Sequence, residues 1–258
     1  MYQQTMFSSM DDNENVLSSE DVLENVKKLY QLFLAGAVKG PEKHEVNPGL
    51  PRGSRENYLY FTLPCCINFQ RNSPALWQSA LDTYQDPSTN YVFFPEQLVE
   101  KEKEEVQRDL AKHKLALQPN KHSSIWINIC HTLASYYKND PKEVLRESDF
   151  DTPLIIQVLQ RDKKHLFPYL GGIKLSNYWL FILSIFTDVE LKNIQEISII
   201  PDVHVIRSTI QLGLAKEGVQ PLEVEQIWRK VSKEVGISPV EMHSALWRWS
   251  RNNFHPEL

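Results

Sequence analysis

Apolar residues recur along this chain at spacings of three and four far more often than they alternate, and that period belongs to helices. From Ser19, "SEDVLENVKKLYQLFLAGAVKG" supplies a capping side chain, acids in the first turn, an apolar stripe and a glycine stop. After a Pro/Gly-rich connection, "RENYLYFTLPCCINFQ" reads as a buried helix that ends or kinks near Pro64. "SPALWQSALDTYQD" and "PEQLVEKEKEEVQRDLAKHKLAL" predict two amphipathic helices, and "SSIWINICHTLASYYKND" and "DTPLIIQVLQRD" predict two more. "KLSNYWLFILSIF" is apolar nearly all round, the pattern of a central helix. "PLEVEQIWRKVSKEVG" and "SPVEMHSALWRWSRNNF" close the chain, each opened by a proline-containing start. Only "NYVFF" and "EISII" are candidate strands, and no repeat of solenoid period is visible. The expected class is all-α, with about ten helices and short connections.

Composition narrows the picture. The 258 residues are 41% hydrophobic and 24% charged, ordinary for a soluble globular protein and enough for one large domain or two small lobes. No apolar run approaches the roughly 18 residues of a membrane span. The opening "MYQQTMFSSMDDNENVLSSED" is acidic and polar, without the basic and apolar regions of a secretory signal. Residues 1–17 are expected to form a disordered tail. The three cysteines, Cys65, Cys66 and Cys130, have no C-x-x-C spacing. They suggest a reducing, intracellular setting, cytoplasm or nucleoid, with no disulfide framework and no iron–sulfur cluster. Eight histidines form no H-x-x-x-H or H-E-x-x-H pair, so no metal site is expected. A net charge of −5 argues against a broad basic surface for polyanions, but leaves room for local grips on phosphate.

One such grip is "FPYLGGIKLSNYW", Phe167 to Trp179. Two helices joined through Gly171 and Gly172 would leave amide donors at the turn and at the second helix's positive end, where a phosphate oxygen fits. "RDKKH" just upstream adds Lys163 and Lys164. An ordinary helix corner fits the glycines equally. Lys174 stands where the apolar helix begins; desolvation and the dipole would both disfavour its charged form and leave an amine able to act as a nucleophile. Snorkelling to solvent is its plain alternative. Downstream, in "IIPDVHVIR", Asp202 suits the cap of a helix starting at Val203, or a carboxylate that stabilises a cationic sugar and orients an amine.

Taken together, the glycine turn, Lys174, the apolar helix and the later D-x-H-x-x-R of Asp202, His204 and Arg207 resemble the helix-hairpin-helix DNA glycosylase superfamily. The family's usual L-P-G-V-G-x-K reads here F-P-Y-L-G-G-I-K, with one extra residue, and the lysine-to-aspartate interval is longer than in most members. The archaeal-type 8-oxoguanine DNA glycosylase branch fits better, because "IWRKVSKEVGISPVEMHSALW", Ile227 to Trp247, resembles its C-terminal pattern. The likeness spans Arg55 to Asn252. It implies one glycosylase domain over residues 18–258, built of two interwoven helical lobes flanking a cleft. It further implies a cofactor-free, monomeric enzyme that acts on damaged double-stranded DNA, with Lys174 as Schiff-base nucleophile and Asp202 as catalytic carboxylate. Tyr178 and Trp247 would stack on the extruded base, with Trp77 as a further pocket wall. Gln70, Arg71 and Asn72 are candidates to fill the gap left in the duplex. His204, Arg207, Arg248 and Arg251 would meet the DNA. Another lesion, or a non-catalytic hairpin module, remains open at this stage.

Overall fold

The computed structural model describes residues 19–40 and 45–258; the expected acidic tail at 1–17 lies outside them. The described chain is all-α, in two helical lobes flanking a cleft, and carries a helix-hairpin-helix motif. Helices α1 (Ser19–Leu34), α2 (Arg55–Cys66), α3 (Ser73–Gln85), α4 (Pro95–Leu98), α5 (Lys103–Lys112) and α6 (Pro119–Tyr136) form the first half. There follow α7 (Pro141–Glu147), α8 (Thr152–Gln157), α9 (Ile173–Phe186), α10 (Val203–Gln211), α11 (Pro221–Val235) and α12 (Pro239–Arg251).

Local chemistry sets most boundaries. Ser54 caps α2 by accepting from the Asn57 amide, and Pro64 is tolerated in the last turn, where the helix closes through Ile67 N–H to the Pro64 carbonyl. Asn72, Asp140, Asp151 and Ser238 cap α3, α7, α8 and α12 in the same way. Gly236, at φ 73°, ends α11 in the left-handed conformation that a side chain resists.

Three local expectations are corrected. "NYVFF" is a 3₁₀ turn, Asn90–Phe93, running into Pro95 at the start of α4. "EISII" starts on the last residue of a 3₁₀ turn, Ile194–Glu196, and pairs with no strand among the described residues. The charged stretch predicted as one helix from Pro95 is two, broken between Val99 and Glu102. Composition rich in β-formers reflects burial here: Val92 and Phe93 are fully enclosed.

Two hydrophobic cores hold the lobes. The larger gathers α2, α3, α6 and α9 around Trp77, Trp126 and Trp179. The smaller joins α1, from the start of the described chain, to α10, α11 and α12 around Trp228 and Trp249. Buried indole donors are all answered: Trp179 Nε1 donates to Thr62 Oγ1 at 2.9 Å, Trp126 Nε1 to the Val92 carbonyl at 2.7 Å, and Trp228 Nε1 to Thr209 Oγ1 at 2.9 Å. α12 runs along the seam. Its Val240 belongs to the larger core, while Met242, Ala245, Leu246 and Trp249 belong to the smaller one.

Candidate active site

The hairpin begins with α8, continues as a π turn over Val158–Asp162 and a 3₁₀ turn over Lys164–Leu166, and reaches the glycines. Gly171 sits so close to the preceding element that a Cβ there would lie 2.5 Å from the Leu159 carbonyl oxygen. Only glycine permits that approach. The glycine amides are used inside the turn: Gly171 N–H donates to the Phe167 carbonyl at 2.8 Å and Gly172 N–H to the Tyr169 carbonyl at 2.9 Å. The expectation that they present donors outward is therefore corrected. The available donors sit one step later, in the first turn of α9, where Gly172 is the cap and has no side chain to satisfy the Ile173 and Lys174 amides. Of the basic run, Lys164 is exposed beside Gly171. Lys163 forms an ion pair with Glu147 and lies over the Tyr137 ring.

Lys174, second residue of α9, is exposed. The desolvated lysine expected from the sequence is thus replaced by an accessible one on the lip of an apolar helix. Asp202 is the cap of α10, its Oδ1 accepting from the His204 and Val205 amides at 2.9 Å each. No ion pair joins Lys174 to Asp202 among the described residues. What connects them is His243 on α12. Burial holds its imidazole below the ordinary histidine range, the Lys174 charge pushes in the same direction and the Asp202 carboxylate pulls the other way. His243 Nδ1 is buried without a hydrogen-bond partner, and the ring sits edge-on to Phe181 of α9, centroids 5.6 Å apart. The Lys174 and Asp202 charges therefore both reach the His243 ring, which packs from α12 onto α9.

Tyr178 and Trp247 flank that neighbourhood differently. Tyr178 lies one turn after Lys174 and is half-buried; its hydroxyl accepts from Trp77 Nε1 at 3.0 Å and donates to Glu45 Oε1 at 3.2 Å. Trp77 is fully buried against the rings of Tyr60 and Phe61, at 5.9 and 5.5 Å. It enters the core and fixes Tyr178 through its N–H. Trp247, one turn after His243, is half-buried with its ring edge-on to His204 at 5.6 Å and Arg251 over its face at 5.3 Å. His204 Nδ1 lies 3.2 Å from Ser250 Oγ, and Ser208 Oγ donates to the Leu246 carbonyl at 2.8 Å, so α10 and α12 are pinned together behind Asp202.

The remaining candidates separate by exposure. In the α2–α3 turn, Gln70 is exposed with φ 50°, Asn72 is the cap of α3, and Arg71 is half-buried, donating to the Leu115 carbonyl at 2.6 Å. Burial lowers the Arg71 guanidinium to about 10. Arg71 and Asn72 thus brace the turn, and Gln70 stands at its tip. Arg248 lies over Phe33 and against Gly40, packed into the second lobe instead of free for phosphate. Arg207 is exposed above Phe254.

Three features escaped the sequence. His243 carried no motif, although its spacing from Trp247 put both on one helical face. Glu45 sits beyond any periodic segment. Phe69 and Tyr169 stack at 4.4 Å with Lys121 Nζ 4.9 Å from each ring, which locks the α2–α3 turn to the glycine turn.

No family model matches the chain, and no curated protein is similar to it in sequence at a significant level. Among solved structures, the chain is similar to that of a trapped endonuclease III–DNA covalent intermediate, an estranged-adenine complex. The TM-score is 0.52 at 15% identity, covering 90% of this chain and 86% of that one. At that identity the likeness is one of fold: the all-α architecture is shared along nearly the whole length.

Proposed function

We propose that the protein is a base-excision DNA glycosylase with associated β-lyase activity at abasic sites. The observation that carries this reading is an exposed lysine at the start of α9 and a helix-capping aspartate whose charges both act on one half-buried histidine, with a tyrosine one turn along the lysine's helix. Likeness of fold to a protein trapped covalently on DNA supports it.

The chemistry follows from the groups present. A damaged nucleotide rotates out of the duplex, at an unstacking cost of roughly a few kcal/mol, and its base enters the cleft between Tyr178 and Trp247. After its ammonium has given one proton to solvent, Lys174 attacks C1′ as the glycosidic bond breaks and the departing base takes a proton from water. The new C1′–N ammonium then loses a proton as the C1′–O4′ bond opens and O4′ is protonated. The Asp202 carboxylate, held by two backbone amides, stabilises the positive sugar. The resulting imine acidifies C2′, and loss of that proton expels the 3′ phosphate. First-turn amides of α9, Lys164, Gln70 and Arg251 hold the backbone and the opened duplex, a local grip compatible with a net charge of −5.

Oxidised guanine, 8-oxoguanine, is the substrate this reading favours, on the resemblance of the Ile227 to Trp247 stretch. The test is a panel of duplexes, each bearing one damaged base, scored for released free base. Fastest release from the 8-oxoguanine duplex is expected. Faster release of an oxidised pyrimidine or alkylated purine would move the specificity, and no release from any duplex would leave a non-catalytic hairpin module.

A further inference from the structure

Lys174 begins α9 and Asp202 caps α10, so the proposed chemistry depends on how two separate elements are held in register. Attack on C1′ tolerates little error: a misplacement of about 1 Å can cost about 10²-fold in rate. The exposed position of Lys174 and the capping bonds of Asp202 do not by themselves fix either group against the other.

One side chain spans the interval. Asn177 lies on α9 about one turn after Lys174 and is 3% exposed. Its Nδ2 donates at 2.8 Å to the Ile173 carbonyl, the oxygen of the peptide unit that leads into Lys174. Its Oδ1 accepts from the Ser198 amide at 2.8 Å. These partners fix the orientation of the side-chain amide, since a backbone N–H only donates and a carbonyl only accepts. Ser198 opens the short segment that ends in Asp202, and that segment has little freedom. Ile199 and Ile200 are buried, Pro201 restricts the backbone, and the Asp202 N–H donates to the Ile200 carbonyl at 2.8 Å. Ser198 is also held by α11: its Oγ donates to Glu225 Oε1 at 2.7 Å and accepts from Arg229 Nη2 at 2.6 Å. Trp179 and Leu180, which follow Asn177, belong to the larger core, and Ile199 belongs to the smaller one. The amide therefore crosses the seam between the lobes. A polar side chain enclosed in so apolar a helix is tolerated only when its donor and acceptor are both answered, as they are here.

Resting on the lysine reading above, we infer that Asn177 is a positioning residue: its amide clamps the Ile173–Lys174 peptide to the segment that carries Asp202, and so sets the lysine and the carboxylate on one sugar. Being enclosed, it acts on DNA only through the two groups it holds in place.

The clamp predicts a loss of rate without a loss of affinity, which a residue needed only for folding would not produce. Asn177→Ser leaves a hydroxyl that bonds back to the Ile173 carbonyl of its own helix and loses the Ser198 amide, and Asn177→Leu loses both bonds. Rates are taken per folded molecule, counted by circular dichroism at the assay temperature, in single turnovers on a duplex from which wild-type protein releases the damaged base. Base release and borohydride-trapped adduct should both be about 10²-fold slower, with affinity for a duplex bearing a tetrahydrofuran abasic analogue, read by anisotropy, within about threefold of wild type. Asn177→Asp keeps an oxygen for the Ser198 amide and should be at least about tenfold faster than Asn177→Leu. Both breaking variants are measured, so that one's failure to fold leaves the other to decide. Wild-type rates in either folded variant would overturn the clamp while leaving Lys174 as nucleophile. An affinity that falls as far as the rate, or an Asn177→Asp no faster than Asn177→Leu, would also overturn it. A wild-type protein that forms no adduct would instead remove the lysine reading, and the clamp with it.

Discussion

At the scale of single residues, Asp202 combines a structural and a chemical task that substitution can separate. Asparagine caps a helix about as well as aspartate, so Asp202→Asn should change stability by less than about 0.5 kcal/mol, whereas Asp202→Ala should cost about 1 kcal/mol. Both should slow base release by about 10²-fold or more, because the negative charge is gone. Urea denaturation beside single-turnover base release separates the effects; an active Asp202→Asn would make the residue a cap and nothing else. Trp77 offers a similar division. Its indole donates to the Tyr178 hydroxyl from inside the core, so Trp77→Phe should lose about 1–2 kcal/mol through a missing hydrogen bond and a small void. The loss should appear in the denaturation midpoint, with the lysine's covalent chemistry still present.

At the scale of elements, the hairpin is a packed joint more than a loop. The 2.5 Å approach that a Cβ on Gly171 would make to the Leu159 carbonyl means that Gly171→Ala must push the π turn away. A stability loss of about 1–3 kcal/mol is expected from melting curves, the range of overpacking elsewhere, with weaker affinity for duplex DNA by anisotropy. Unchanged melting would show that the turn yields easily. This joint also marks where sequence legibility stops. α9 could be read because it is apolar nearly all round, and α10 because Asp202 precedes a clean periodic run. Which amides of the turn are free could not, since Gly171 and Gly172 find their acceptors in a local fold that only the packing against Leu159 dictates. Trp77 and Trp247 stand at equivalent helical spacings, and only the tertiary core decides that one is enclosed and the other left on the seam. The greasiness of α9 predicts a desolvated Lys174, yet position two of a helix lies at its exposed end. His243 had no motif because its meaning comes from two other helices.

At the scale of the whole molecule, the smaller core ties α1 to the last three helices, so the seam bearing His243 depends on segments far apart in sequence. The glycine turn and the α2–α3 turn are joined by the Phe69–Tyr169 stack, and beneath it His122 is buried with both ring nitrogens unpartnered. Burial first, and then the Arg71 and Lys121 charges, lower His122 to about 4. In the unfolded chain the same histidine titrates near 6.5, so between these values the unfolded state binds the proton and the native state does not. Stability should therefore decline as pH falls from about 6.5 towards about 4 and level off below. His122→Gln should flatten that part of a pH series of urea midpoints; an identical slope in the variant would mean that other groups set it.

The central claim is that Lys174 becomes covalently attached to DNA, and borohydride trapping tests it most directly. Wild-type protein, incubated with a duplex bearing one 8-oxoguanine and reduced with borohydride, should give a shifted protein–DNA band whose linked peptide contains Lys174, and Lys174→Gln should give none. An adduct of equal yield with Lys174→Gln, or no adduct from wild-type protein that releases the base, would contradict the account.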